Sequence, residues 1–317
     1  MEAMTNFSYD SSTTVKLIPE FFSYAVRNGV LNLIGVLTNS IVLGIGLSSK
    51  EIHGSNKLPT ICMTASNLMA SFFPLFLNIF YFWFDLTDTK VNFILCNVVR
   101  KMGHHGQIPG IWSVLVVALD RFSTFCLERD ISRRYVMGLF LLPYAYIAAI
   151  IGFEISQNET IMDFICPATI EGPMLVRNLT GFLWTSSAVV ATICSLFVVR
   201  SVFKLNMTDA FSRKRSGLEK RVSYAVFLQS LLPALLSVPF LVTMILQYNG
   251  MFGVLPVWFT WGSSAMMYVY FALNPIITVA FIKQYQRATI KIFCFWNATK
   301  VASVFTPTQA SKSRRSL

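Results

Sequence analysis

Residues 96–122 read CNVVRKMGHHGQIPGIWSVLVVALDRF, a largely apolar run with a cysteine at one end and Asp120-Arg121-Phe122 at the other. The 25 steps from Cys96 to Arg121 correspond to about 37 Å of α-helix, whereas the hydrocarbon core of a bilayer is about 30 Å thick. We therefore expect one membrane-crossing helix whose two marked ends lie at opposite water interfaces. Four helix-breaking residues predict an irregular middle: Gly103, Gly106, Pro109 and Gly110.

The whole chain is too apolar for a soluble protein of its length. Of its 317 residues, 54% are hydrophobic and 13% are charged. Seven apolar runs are long enough to cross a bilayer, near residues 29–48, 58–84, 97–121, 135–153, 179–203, 221–246 and 255–282. The expected fold class is an all-α membrane protein, a seven-transmembrane helix bundle followed by a short amphipathic helix. The expected divisions are an extracellular N-terminus (1–28), the seven-transmembrane domain (29–283), and the amphipathic helix with a disordered cytosolic tail (284–317).

The distribution of charge predicts the orientation in the membrane. Twenty of the 26 Lys and Arg residues fall on the side that carries Arg121, and nine of the 15 Asp and Glu residues fall on the other side. Because basic residues are retained on the cytosolic side, the N-terminus is expected outside and the C-terminus inside. The net charge of +11 is then explained by anionic lipid and a cytosolic partner, and no nucleic acid is expected.

The cysteines fall into three groups. Cys96 and Cys166 both reach the oxidising outer face in this topology, so a disulfide is expected between them. Cys62, Cys126 and Cys194 lie in spans or an inner loop and are expected as thiols. Cys294 follows a cationic amphipathic stretch and is a candidate for palmitoylation, with an unmodified thiol as the alternative.

Sequons on the outer side predict glycosylation. Asn6-Phe-Ser and Asn158-Glu-Thr carry the acceptor pattern in segments expected to face outward.

Asp120 and Arg121 form an adjacent acid–base pair at the cytosolic end of a central span. A local ion pair between them would leave Arg121 able to reach a partner when helices separate. The alternative is an interfacial pair that only anchors the helix.

Polar and helix-bending residues inside the other spans form a second candidate set, because buried amides are costly unless they are hydrogen-bonded. They are expected either to join the helices or to act as hinges: Asn39, Asn67, Asn274, Pro275 and Pro233.

These motifs resemble those of the rhodopsin-like G-protein-coupled receptors. A Cys lies 25 positions before the Arg of Asp120-Arg121-Phe122, which is similar to the family's D-R-Y motif. Asn39 resembles the first-helix Asn, and Asn274-Pro275-Ile-Ile-Thr278 resembles N-P-x-x-Y. The resemblance implies that Asp120, Arg121 and Phe122 couple to a heterotrimeric G protein.

The departures from the family pattern indicate a particular subfamily. Asn67 stands where the family usually has Asp, Thr278 replaces Tyr, and Ser230-Leu-Leu-Pro233 lacks the usual aromatic residue. Together with the run from Asn274 to Tyr285, these features are similar to the nematode serpentine chemoreceptors. That resemblance implies a small-molecule ligand such as an odorant, an olfactory role, and a place in the plasma membrane or the cilium of a sensory neuron.

Amphipathic residues in the outer half of the bundle are the candidate ligand pocket: Arg100, His104, His105, Gln107, Trp184, Trp261 and Tyr268, with Met102, Trp258 and Tyr270 beside them. Their alternative role is packing or an interfacial aromatic belt. Adjacent side chains such as those of His104 and His105 point about 100° apart on a helix, so we expect no metal site, and no cofactor is implied.

Three functions from different classes are compatible with the sequence. The first is a receptor for a small molecule or, alternatively, a neuropeptide, which acts on a G protein, contacts membrane lipid and forms homo- or hetero-oligomers. The second is a ligand-gated channel or transporter, which the lack of internal repeats disfavours. The third is an intramembrane hydrolase, but the spans lack the clustered nucleophiles and metal ligands that it requires, so we expect no enzyme.

Overall fold

The computed structural model describes residues 10, 12–50, 52, 57–157, 160–163, 165–170, 172–204, 210–248 and 256–292. The α-helices in these ranges are α1 (Phe22–Ser48), α2 (Lys57–Leu86), α3 (Phe93–His105), α4 (Ile108–Cys126), α5 (Arg133–Ile155), α6 (Met174–Lys204), α7 (Ala210–Tyr248), α8 (Val257–Phe281) and α9 (Lys283–Ile292). Four short strands accompany them: β1 (Thr14–Val15), β2 (Val91–Asn92), β3 (Thr160–Met162) and β4 (Ala168–Ile170).

The helices form a seven-membered bundle in which α3 and α4 together make one member, and the predicted fold class is confirmed. Within the part of the chain that the structure describes, five members are long and apolar enough to cross a membrane, and a sixth is added if the bent pair α8–α9 counts as one span. Helix α4 is the centre of the bundle because it packs against α2, α5, α6 and α7. Its buried residues lie on every side, from Ile111 to Ala118, as expected of a helix that is apolar all round.

Two helices begin earlier than the hydropathy pattern predicts. Helix α1 begins at Phe22 and not near 29, because neither polar residue before that point interrupts it. Asn28 is buried in the bundle, and the exposed Arg27 places its guanidinium 5.4 Å from the centroid of the Tyr24 ring of the same helix. Helix α7 begins at Ala210 and not near 221, since its first turns contain good helix formers that do not have to be apolar.

The third span is broken in its middle, as predicted. Helix α3 ends at His105, and α4 begins at Ile108 with Pro109 in its first turn. Proline has no N–H group and its ring clashes with the preceding turn, so it suits a helix start and prevents continuation from α3. The break therefore separates the Cys96 half of the span from the Arg121 half.

The predicted amphipathic helix is confirmed as α9, which turns by 96° from α8. Tyr285 and Ala288 are buried against the bundle, whereas Lys283 and Arg287 are exposed. This pattern is that of a helix lying along an interface.

The end of the bundle that carries Cys96, called here the disulfide end, is covered by a cap. The cap consists of residues 12–21, β2 and the antiparallel pair β3–β4, and the Cys96–Cys166 disulfide joins that pair to α3. β1 pairs with β2, and the Ile18 N–H donates to the Ile165 carbonyl over 3.0 Å. Apolar side chains of the cap, including Val15 and Leu17, are buried beneath it. The opposite end is called the Arg121 end.

Replacing Gly110 by Ala is expected to destabilise the bundle by about 1–3 kcal/mol, because an added methyl group has no space. A Cβ at Gly110 would lie 2.9 Å from the Ala70 Cβ and would also overlap the Phe271 ring. Thermal unfolding in nanodiscs measures the effect. Gly138→Ala in α5 is the matched control, since a Cβ there meets nothing within 4 Å. Equal unfolding midpoints for the two variants would contradict the expectation.

Candidate functional site

At the Arg121 end, the central helix is connected to α7. Arg121 is 4% exposed, and its Nη1 lies 3.7 Å from the Glu219 carboxylate. The ion pair that Arg121 makes is with Glu219 of α7, and the adjacent Asp120 is only partly buried. Phe122 packs its ring against Phe197 of α6, with centroids 6.2 Å apart. The predicted triplet thus contacts two other helices.

A hydrogen-bond network joins α7 and α8 in the middle of the bundle. The Gln229 amide donates to the Asn274 side-chain carbonyl over 2.6 Å and to the Thr278 hydroxyl over 2.9 Å. The Asn274 amide donates in turn to the Tyr270 hydroxyl over 2.9 Å. Tyr270, proposed from the sequence beside the ligand pocket, is therefore part of this network. Pro275 follows Asn274 within α8, so the network lies where that helix lacks a backbone donor.

The two remaining amides of the predicted set meet α8 at Phe271. Asn39 donates to the Phe271 carbonyl over 3.0 Å and so joins α1 to α8. Asn67 is buried beside Gly110, the same glycine that lies against the Phe271 ring. Pro233 is buried within α7, one turn after Gln229. The predicted residues therefore surround one region of contact among α1, α2, α4, α7 and α8.

At the disulfide end, a buried charge cluster connects α3 to α5. The Glu154 carboxylate lies 3.1 Å from the Lys101 ammonium and 3.0 Å from Nε2 of His105, and the side chains of Lys101 and Glu154 are each 2% exposed. Arg100 instead contacts Asp163 of the cap, over 2.6 Å. Two of the predicted pocket residues thus connect α3 to neighbouring elements: Arg100 to the cap and His105 to α5.

The other pocket candidates lie on two sides of the third span. His104 packs near Trp184 of α6, with ring centroids 6.3 Å apart. Tyr268 of α8 is buried, and Gln107 and Tyr24 of α1 are its polar neighbours. Trp258 is 72% exposed and does not line the interior. Trp261 lies in α8, and its side chain is outside the described residues.

Three further functional candidates were not predicted from sequence motifs: Glu154, Glu219 and Gln229. A lone carboxylate at the end of an apolar span, as in Gly152-Phe153-Glu154, is the signal that indicates the first. Glu219 is one of several charges in a polar stretch, and no local pattern distinguishes it. Gln229 precedes Pro233 in an otherwise apolar run, and its partners lie 45 and 49 residues away.

The disulfide prediction is confirmed by the Cys96–Cys166 bond. Cys62, Cys126 and Cys194 are free thiols. Asn6, Asn158 and Cys294, the candidates for glycosylation and lipidation, lie outside the described residues. Within the described ranges, no group of three or more His, Cys, Asp or Glu side chains is placed to hold a metal ion.

Comparison with known proteins gives a fold for the chain and a family likeness for part of it. Residues 140–290 match the family model described as serpentine type 7TM GPCR chemoreceptor Str, which covers α5 to α9. The crystal structure of squid rhodopsin is similar with a TM-score of 0.69 at 15% identity, over 92% of this chain and 88% of that chain. No curated protein sequence matches the chain. The chain thus has the rhodopsin-like seven-transmembrane fold, and its residues 140–290 resemble the serpentine chemoreceptors, a fold and a family of receptors and not of enzymes.

Proposed function

We propose that the chain is a chemosensory receptor of the plasma membrane, with its N-terminus outside. A small molecule binds in the half of the bundle near the disulfide end, and a heterotrimeric G protein binds at the Arg121 end. The basic residues of the Arg121 end and of α9 then face the cytosol and its anionic lipid. Glycosylation of Asn6 and Asn158, acylation of Cys294, oligomer formation and a ciliary location in a sensory neuron belong to the same proposal.

The contact between Arg121 and Glu219 is the observation that carries this proposal. A buried guanidinium held over 3.7 Å by a carboxylate that is 20% exposed is a contact that can open. Movement of α7 away from α4 would separate the two groups and expose Arg121 to a protein at this end. Activation then requires a ligand that binds more tightly when α7 is displaced.

The Gln229 network supplies a route by which α7 responds to the rest of the bundle. Gln229 makes its hydrogen bonds to α8, and α8 receives the Asn39 bond from α1. A shift of α8 near Tyr268, where the ligand is proposed to bind, therefore acts on Gln229. Because the same helix α7 carries Glu219, that shift also acts on the contact with Arg121.

The charges of the pocket indicate an uncharged ligand. Arg100 already faces Asp163, and Lys101 already faces Glu154. A charged ligand would compete with these ion pairs, whereas a neutral molecule can use the hydrogen-bonding side chains of His104, Gln107 and Tyr268 without disturbing them. A small neutral odorant has this chemistry.

Guanine-nucleotide exchange on a panel of Gα subunits tests the proposal, with membranes that contain the chain and a library of volatile and water-soluble compounds. We expect at least one compound to stimulate exchange, and Arg121→Ala to reduce the stimulated rate by at least about tenfold, the size of a typical coupling between sites. Arg134→Ala is the matched control, because Arg134 is an exposed basic residue at the same end. Surface-expressed protein that stimulates no Gα subunit, yet conducts ions in response to the same compounds, would overturn the receptor proposal.

A further inference from the structure

A cavity of about 280 Å³ lies in the wall of the bundle between α2, α3 and α5. Of the pocket residues considered above it includes Met102, and it reaches the break after α3. Its lining residues are apolar or contribute apolar surface: Phe73, Val98, Met102, Gly106, Tyr144, Ile147, Ala148 and Ile151.

The cavity opens to the side of the bundle. Gly106 is buried at its inner end, Ala148 is exposed at its rim, and the other lining residues are half-buried. Tyr144 and Ala148 lie in the middle of α5, which is one of the helices apolar enough to cross a membrane. The opening therefore faces the hydrocarbon core of the bilayer and not the water.

The cap closes the water side of this region. The Phe93 N–H donates to the Thr13 carbonyl over 2.9 Å, and the Tyr81 hydroxyl donates to the Ile18 carbonyl over 3.0 Å, so residues 13–18 are held across the ends of α2 and α3. Cys166 ties β4 to the same end of α3. A molecule dissolved in the membrane reaches the cavity without passing this layer.

The size and lining of the cavity define the chemistry of its occupant. A dry apolar cavity of about 150 Å³ binds benzene, which has six carbon atoms. A cavity of about 280 Å³ accordingly holds a compact molecule of about ten carbon atoms. The Tyr144 hydroxyl is directed to Ser66, 3.4 Å away, so it leaves an apolar ring edge toward the cavity.

The inner end of the cavity is the break in the third span. A Cβ at Gly106 would lie 2.6 Å from the Phe73 Cβ, so backbone and ring are already in close contact there. The residues on either side of Gly106 are His105, which contacts Glu154, and Gln107, which is a neighbour of Tyr268. An occupant that displaces Phe73 would act on the break and hence on α4, which carries Arg121.

We propose that this cavity is a second ligand site, which takes an uncharged apolar compound of about ten carbon atoms from the hydrocarbon core of the membrane and biases the break between α3 and α4. Binding to the cavity stands on its own observations, whereas its effect on signalling rests on the proposed function.

Photolabelling of the full chain in nanodiscs tests the site. The probe is an alkyne-tagged decyl diazirine, and the labelled peptides are identified by mass spectrometry. We expect label on residues 98–106 and 144–151, and we expect excess naphthalene to reduce it at least tenfold. Ala148→Trp fills the rim and is expected to give a similar loss. Ala149→Trp is the matched control, since Ala149 is equally exposed on α5 but does not line the cavity.

Uniform labelling of all lipid-facing helices, or labelling that Ala148→Trp leaves unchanged in protein of normal thermal stability, would overturn the proposal. Competition by long-chain fatty acid but not by naphthalene would also overturn it, because the groove would then belong to membrane lipid. Exchange assays on the same samples separate the two proposals: labelling without exchange contradicts the receptor function alone, and exchange without labelling contradicts this site alone.

Discussion

Glu154→Gln is expected to lower the free energy of unfolding by about 3–5 kcal/mol, the usual effect of removing one partner from a buried ion pair. The substitution preserves the shape of the side chain but removes the negative charge that lies 3.1 Å from the Lys101 ammonium. Both side chains are almost fully buried, so water cannot compensate for the loss. Thermal unfolding in nanodiscs, followed by reaction of the free thiols of Cys62, Cys126 and Cys194 with a maleimide dye, measures the change.

A double substitution separates charge from packing. Lys101→Met combined with Glu154→Gln removes both charges, and we expect it to be less destabilising than Glu154→Gln alone. Glu128→Gln is the control for the single substitution, because Glu128 is exposed and its neutralisation should change stability by less than about 0.5 kcal/mol. Equal effects of Glu154→Gln and Glu128→Gln would show that the buried cluster contributes nothing to stability.

Removal of the disulfide by the paired change Cys96→Ser and Cys166→Ser is expected to cost about 4 kcal/mol. The bond closes a segment with a sequence separation of 70 residues, and the loop entropy that it removes from the unfolded chain grows slowly with such a length. Both cysteines are buried, and the amide of Ile18 is bonded to the carbonyl of the neighbouring Ile165. The loss should therefore extend to the cap.

Hydrogen exchange locates that loss. Amides of residues 13–18, 91–93 and 165–170 should exchange at least about tenfold faster in the paired serine variant, while those in the middle of α4 keep their protection. Cys62→Ser is the matched control, since Cys62 is a free, half-buried thiol in α2. Unchanged exchange in the cap together with an unchanged unfolding midpoint would contradict the stabilising role of the bond.

Hydropathy, charge distribution and helix-breaking residues were sufficient to predict the seven-helix fold, the broken third span, α9 and the disulfide partners. These are local patterns, or they follow from topology alone. The partners of Arg121 and Lys101 were missed. No local pattern distinguishes Glu219 from the other charges of its polar stretch, and the lone carboxylate of Glu154 marks a candidate without indicating which residue it contacts. The early start of α1 was missed for a related reason: hydropathy treats Arg27 and Asn28 as boundary residues, although Asn28 is buried and Arg27 lies over the Tyr24 ring of the same helix.

The predicted ligand pocket was also affected by the lack of information about three-dimensional neighbours in the sequence. Residue type predicted that Arg100, His105 and Trp258 share a cavity, but each points to a different place once the helices pack. Arg100 contacts the cap, His105 contacts α5, and Trp258 is exposed. Amphipathic side chains serve packing, interfaces and ligands alike, and only their three-dimensional neighbours separate these roles.

The Lys101–Glu154 pair also constrains how the protein is made. During synthesis the third and fourth spans enter the membrane from the translocon, where a charged residue within a lone helix opposes insertion. Each of these spans contains one member of the pair, and the two are 53 residues apart along the chain. Insertion of both spans as a hairpin lets each charge neutralise the other before lipid surrounds either one. The ion pair of the folded protein would then already be needed during membrane insertion.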